Sequence, residues 1–167
     1  MKVVLQVLSI VIVVFSLSAF SILELSWSNV ENALPKAITE KKLVVIDVYT
    51  DWCGWCKRMD RDTYSNEEVV KYLNKNFIAS KMNPEKEGSL EFNEKKYTYS
   101  EFNKALGITG YPATAFVDRE GKLLTVVSGY YSPKDFLKVI KYFGEDIYKS
   151  TKSVSYTHLT LPTSDLV

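Results

Sequence analysis

Residues 42–50, KLVVIDVYT, form a nearly unbroken β-branched run that leads into TDWCGWCKRMD at residues 50–60. The second stretch holds both cysteines of the 167-residue chain, and no other feature restricts the fold as much. A continuous apolar run of this kind suits a strand covered on both faces, in a sheet with helices on each side. The residues after it read as a helix that opens at the cysteines and continues through KRMDRD. Cys53 then falls at the helix start and Cys56 one turn on, which puts their sulfurs within disulfide reach.

That placement suits redox chemistry. Unsatisfied N–H groups and the positive end of the helix dipole favour a thiolate at Cys53. Such a thiolate attacks a disulfide, and its neighbour then displaces it from the mixed disulfide. Trp52 and Trp55 flank the pair and offer apolar surface beside it, and packing serves equally well as a role for Trp52. A structural zinc site needs about four ligands, which two cysteines and one tail histidine do not supply, so no metal is expected. A purely structural disulfide here would close a very short loop and stabilise little.

The rest of the chain supplies the other layers of an α/β fold. Residues 26–42, SWSNVENALPKAITEKK, place Val30, Ala33, Leu34, Ala37 and Ile38 on one helical face, with Pro35 opposite, at a kink or just inside the helix start. Ser65 and Glu68 make a capping-box pattern before VVKYLNKNF, and NFIASKMN reads as a second strand. Residues 84–99 are charged with interspersed aromatics and read as a solvated excursion or small hairpin. Ser100 is expected to cap a short helix carrying Phe102, Ala105 and Leu106. Residues 107–129 read as turn, strand, DREG turn and strand, and Ser132–Pro133 open a last helix with Phe136, Leu137, Ile140 and Phe143 inward. Helix, strand, helix, helix, strand, helix, strand, strand, helix is an order that a three-layer α/β fold with a central mixed β-sheet satisfies.

The two ends are set apart. Val3 to Leu23 is an apolar run behind a single lysine, so residues 1–23 read as a secretory signal peptide or an uncleaved membrane anchor. Either would place the domain outside the cytoplasm, where disulfides persist. At the other end, VSYTHLTLPT (residues 154–163) resembles a translated sequencing adapter, so residues 154–167 are expected to be non-native and His158 is left out of any scheme. The domain is then residues 24–153. Basic residues (21) nearly balance acidic ones (20), so no electrostatic footprint for nucleic acid exists.

VVIDVYTDWCGWCK (residues 44–57) resembles the active-site segment of the thioredoxin family, and GITGYPATAFVD (residues 107–118) resembles its cis-proline loop. Residues 110–149 resemble, more narrowly, extracytoplasmic thioredoxin-related proteins of the kind found with sulfur-oxidation clusters. The resemblance implies a thioredoxin-like fold and a thiol–disulfide oxidoreductase, a reductase before an oxidant. Cys53 would be the exposed nucleophile and Cys56 the shielded resolving thiol. Asp47 would take the proton of Cys56, and Lys81 would pair with Asp47. Asp47 facing water on an edge strand is the alternative. Pro112 would be cis and set Tyr111 and Pro112 against the Cys53 sulfur, with an extended substrate segment pairing at Tyr111; an ordinary trans proline is the alternative. Trp52, Gly54, Trp55, Tyr111 and Pro112 would then form the substrate surface. Gly54 and Trp55 replace the Gly-Pro of most thioredoxins and the Pro-His of strong oxidants, and these positions help set the reduction potential.

No cofactor is implied beyond the two thiols. The implied partners are disulfide-bearing or dithiol proteins and a membrane thiol electron donor, with membrane contact only through residues 1–23 if uncleaved. A redox-inactive binding or chaperone-like module on the same fold is the second reading. Copper delivery is the third, but it calls for a wider cysteine spacing and a histidine.

Overall fold

A computed structural model describes residues 23–151. The expected leader or anchor (apart from Leu23) and the expected tail with His158 lie outside the described residues. Among the described residues, no helix is long and apolar enough to cross a membrane.

Five strands form the main sheet: β1 (Trp27–Asn29), β2 (Leu43–Val48), β3 (Phe77–Met82), β6 (Ala113–Val117) and β7 (Leu123–Ser128), in the order β1-β3-β2-β6-β7. β1, β3 and β2 run parallel, whereas β6 and β7 pair antiparallel, so the sheet is mixed. Every residue of β2 is buried, as expected of a β-branched run at the centre of a sheet.

The alternation of β2 separates two cores. Leu43 and Val45 point into a cluster with Met59, Tyr64, Leu73, Phe136 and Ile140, under α2 (Gly54–Asp62), α3 (Glu67–Asn76) and α5 (Pro133–Gly144). Val44, Ile46 and Val48 point the other way, against Val30, Ala33 and Ala37 of α1 (Val30–Glu40) and Phe102 of α4 (Tyr99–Ala105). Residues 84–99 contain the hairpin β4 (Ser89–Phe92) and β5 (Lys95–Thr98), whose Leu90 closes the α1 side.

Four local expectations are corrected. The short strand β1 was not legible; it exists through pairing, with Trp27 opposite Ala79. Ile38 stands exposed on α1, whose continuous 11-residue helix contains Pro35 on its exposed side. The cap of α3 is Asn66 rather than Ser65: its side chain accepts from the N–H groups of Glu68 and Val69, while the Ser65 hydroxyl donates back to the Arg61 carbonyl. The cap of α4 is Thr98 rather than Ser100, in a reciprocal capping box with Glu101.

Candidate active site

The end of β2 and the start of α2 build the site. β2 ends at Val48, and Cys53 takes extended backbone geometry as the N-cap of α2. Its sulfur accepts the Cys56 N–H at 3.0 Å, so Cys53 satisfies one of the donors that a helix start leaves open. Cys53 and Cys56 form a disulfide, and the site is therefore in its oxidised form.

Both cysteines are 4% exposed. This corrects the expectation of an exposed Cys53, because in the disulfide each sulfur covers part of the other. The exposed surface at the site belongs to the tryptophans: Trp52 is 68% and Trp55 55% accessible. Gly54 opens α2 with no atom near where a side chain would stand.

Asp47 does not face water at a sheet edge. It sits on the central strand, 2% exposed, on the face shared with Leu43 and Val45. Its parallel-strand partner is Lys81, whose ammonium lies 3.3 Å from the Asp47 carboxylate. Its antiparallel partner is Thr114. The Tyr64 hydroxyl lies between them, 3.4 Å from the Asp47 carboxylate and 3.3 Å from the Thr114 hydroxyl. Burial pushes the Asp47 carboxyl up to about 6; the positive Lys81 pulls it down and the charge of Asp60 pushes it further up. Burial, followed by the charge of Asp47, also holds the Tyr64 phenol well above its usual range.

Asp60 is the group that sequence reasoning missed. One turn beyond Cys56 on α2, it also forms an ion pair with Lys81, so one ammonium is shared between a buried and a half-exposed carboxylate. Burial lowers the Lys81 pKa, but Asp47 and Asp60 outweigh it and hold the ammonium above its ordinary value. The rings of Trp27 and Tyr49 lie 4.8 Å and 5.0 Å from the same nitrogen. The i, i+4 spacing from Cys56 in CKRMD was the available signal for Asp60.

Two further elements meet the cysteine segment. The Tyr111–Pro112 peptide bond is cis, Pro112 is buried, and its carbonyl accepts the Gly129 N–H at 2.8 Å. This bond ties together the loops that carry Tyr111 and Tyr130. Tyr111 sets its ring edge-on to Trp52 at 6.0 Å, and Tyr130 lies 5.5 Å from Trp55. The loop after β3 reaches the site as well: Glu85 accepts the Trp52 indole N–H at 2.9 Å, while Asn83 and Lys86 hold Asp51. Among the described residues, no group of three or more His, Cys, Asp or Glu side chains could hold a metal.

A buried strand running into a capped Cys-x-x-C helix beside a buried aspartate is the pattern in which comparison with known proteins is informative. The thioredoxin-like domain family model matches residues 30–144. The chain belongs to the thioredoxin-like family. Among curated relatives, the thiol:disulfide interchange protein DsbD of Campylobacter jejuni is 28% identical over 114 residues, covering 68% of this chain and 18% of that protein. The chain spans less than a fifth of the curated relatives it matches, 14% of one and 18% of another. Among solved structures, a putative disulphide-isomerase from Bacteroides thetaiotaomicron is 29% identical, with a TM-score of 0.57 over 73% of this chain and 92% of that one. A thioredoxin-fold protein from Helicobacter pylori superposes with a TM-score of 0.64 over 72% of this chain and 80% of that one, at 23% identity, a likeness of fold. In this thioredoxin-like domain, the matched residues contain the whole constellation from Asp47 to Tyr130.

Proposed function

We propose that the protein is an extracytoplasmic thiol–disulfide oxidoreductase that works as a disulfide reductase. The observation that carries the reading is the Cys53–Cys56 disulfide at the N-terminus of α2, where the Cys53 sulfur caps the helix. A helix start stabilises negative charge, so on reduction Cys53 holds the thiolate more readily than an isolated cysteine.

In the reductive direction, the Cys53 thiolate attacks one sulfur of a substrate disulfide. A Cys53–substrate bond forms, the substrate S–S bond breaks, and one substrate thiolate leaves. Cys56 then gives its proton to Asp47 and attacks the Cys53 sulfur, forming the intramolecular disulfide and releasing the second substrate thiolate. Two electrons pass from the protein dithiol to the substrate. Asp47 suits the base role because its carboxyl, at about 6, is ionised at neutral pH yet more basic than an ordinary aspartate. Lys81 and Tyr64 hold it in place. The dithiol is restored by the reverse exchange with an external dithiol, for which a membrane thiol donor is the proposed source. The apolar N-terminal run and the similarity to DsbD support the setting outside the cytoplasm.

The deciding experiment is the reduction potential of the Cys53–Cys56 pair, measured by equilibration with dithiothreitol and glutathione buffers. A value near about −270 mV fits a reductase, and one near about −120 mV would make it an oxidant. A pair that does not exchange with either buffer would sink the redox reading.

A further inference from the structure

The aromatic surface at the disulfide is divided into two pairs of opposite charge. Trp52, which precedes Cys53, packs with Tyr111 and donates to Glu85. Trp55, which precedes Cys56, packs with Tyr130, and the Arg58 guanidinium lies 5.1 Å from the centres of both rings. The two charges are still available to a ligand. Glu85 is exposed and uses one carboxylate oxygen for Trp52. The neighbouring Lys86 ammonium is held by Asp51 at 2.5 Å. Arg58 uses its Nε for Asp62 at 3.2 Å, so its two terminal nitrogens have no hydrogen-bond partner among the described residues. Beside Arg58, an open hollow of about 220 Å³ is lined by Gly54, Trp55 and Arg58.

We propose that the site reads the charge order of its substrate: Glu85 beside Trp52 takes a basic side chain, and Arg58 beside Trp55 takes an acidic one. The favoured substrate is an extended segment whose cysteine lies between residues of opposite charge, in one of the two possible orders. The aromatic rings give sequence-tolerant contact area, and the two charges add direction, because a segment laid the wrong way meets like charge at both ends. The Trp55 and Tyr130 rings beside it restrict where the Arg58 guanidinium can point, and its planar fork favours a carboxylate partner in the hollow. This inference rests on the oxidoreductase reading above.

The test uses the full chain, reduced with dithiothreitol and freed of it, and two peptides of the same composition. Each carries one cysteine as a mixed disulfide with 2-mercaptoethanol, flanked by Lys on one side and Glu on the other, in the two orders. The ratio of their second-order rate constants is the readout, and any general loss of folding or activity cancels from it. Each exposed ion pair is worth at most about fivefold, so a preference of several-fold for one order is expected, reversed in the R58E/E85K double variant. A ratio near one, or a ratio unchanged by the double reversal, overturns the proposal. Exchange with neutral 2-hydroxyethyl disulfide by the same reduced protein separates the two levels of the argument. If it proceeds while the ratio stays at one, only the charge reading falls; if no disulfide reacts, both fall.

Discussion

Asp47 and Lys81 stand in register on adjacent parallel strands, with the carboxylate 3.3 Å from the ammonium and nearly all of the aspartate buried. The ion pair does not fully offset the burial, since the carboxyl is still pushed up from 3.8 to about 6. An acid whose native pKa exceeds its unfolded value stabilises the fold in its protonated form. That contribution is intact below pH 3.8 and is lost as the pH rises through about 6. Asp47→Asn resembles the protonated form, so at pH 8 the variant is expected to be more stable than the parent. The gain is at most about 3 kcal/mol at pH 8 and shrinks towards pH 4. Urea unfolding at both pH values measures this, and a variant no more stable at pH 8 than at pH 4, relative to the parent, refutes it.

The same substitution is expected to lower activity. Without a base, Cys56 must lose its proton to water, and loss of general-base help costs roughly a hundredfold or more. Stopped-flow measurements should show the resolving step slowed by that order in Asp47→Asn, with the first attack by Cys53 affected far less. In the parent, the resolving rate should rise with pH around 6; in the variant, that rise should vanish. Equal loss in both steps would remove Asp47 from the role.

Asp60 tunes Asp47 at a distance. Its negative charge raises the Asp47 pKa, and it draws on the ammonium that would otherwise serve Asp47 alone. Asp60→Asn removes both effects, so the Asp47 midpoint should move below about 6. Carbon-detected NMR titration of the Asp47 carboxyl reads this directly, and an upward move or none contradicts the sharing of Lys81.

How much of this was legible before the structure depends on where each property is encoded. The β2–α2 junction was readable because an apolar run and a Cys-x-x-C spacing are local. Burial of Asp47 was readable as an expectation, because a lone carboxylate within KLVVIDVYT must either face solvent or find a partner. The spacing from Cys56 placed Asp60 on the same helical face, but its pairing was not readable, because it arises when the long Lys81 side chain on β3 reaches a different helix. Trp27–Asn29 carries no period and becomes a strand only beside β3. The helix caps were misplaced by one or two residues, at Ser65 and Ser100, because several adjacent side chains were able to cap and only the turn geometry chooses among them.

Helix capping gives a stability test free of redox chemistry. The Asn66 side chain accepts from two N–H groups at the start of α3, whereas Ser65 bonds backwards to α2. Asn66→Ala should cost about 1 kcal/mol and Ser65→Ala clearly less, measured by thermal or urea unfolding. The opposite ranking would restore Ser65 as the cap.

The last prediction separates the two cysteines. If Cys53 attacks and Cys56 resolves, removing Cys56 leaves a protein that can begin exchange but cannot finish it. Cys56→Ser should therefore accumulate mixed disulfides with its substrates in an envelope or secreted fraction, seen on non-reducing gels and identified by mass spectrometry. Cys53→Ser should accumulate none. The asymmetry is structural: the Cys53 sulfur caps α2 and accepts the Cys56 N–H, whereas Cys56 lies inside the helix, on its buried face with Met59. The helix terminus at Cys53 favours its thiolate and is the source of the difference. Equal trapping by the two variants would remove that assignment, and no trapping by either would favour a binding module that does not exchange disulfides.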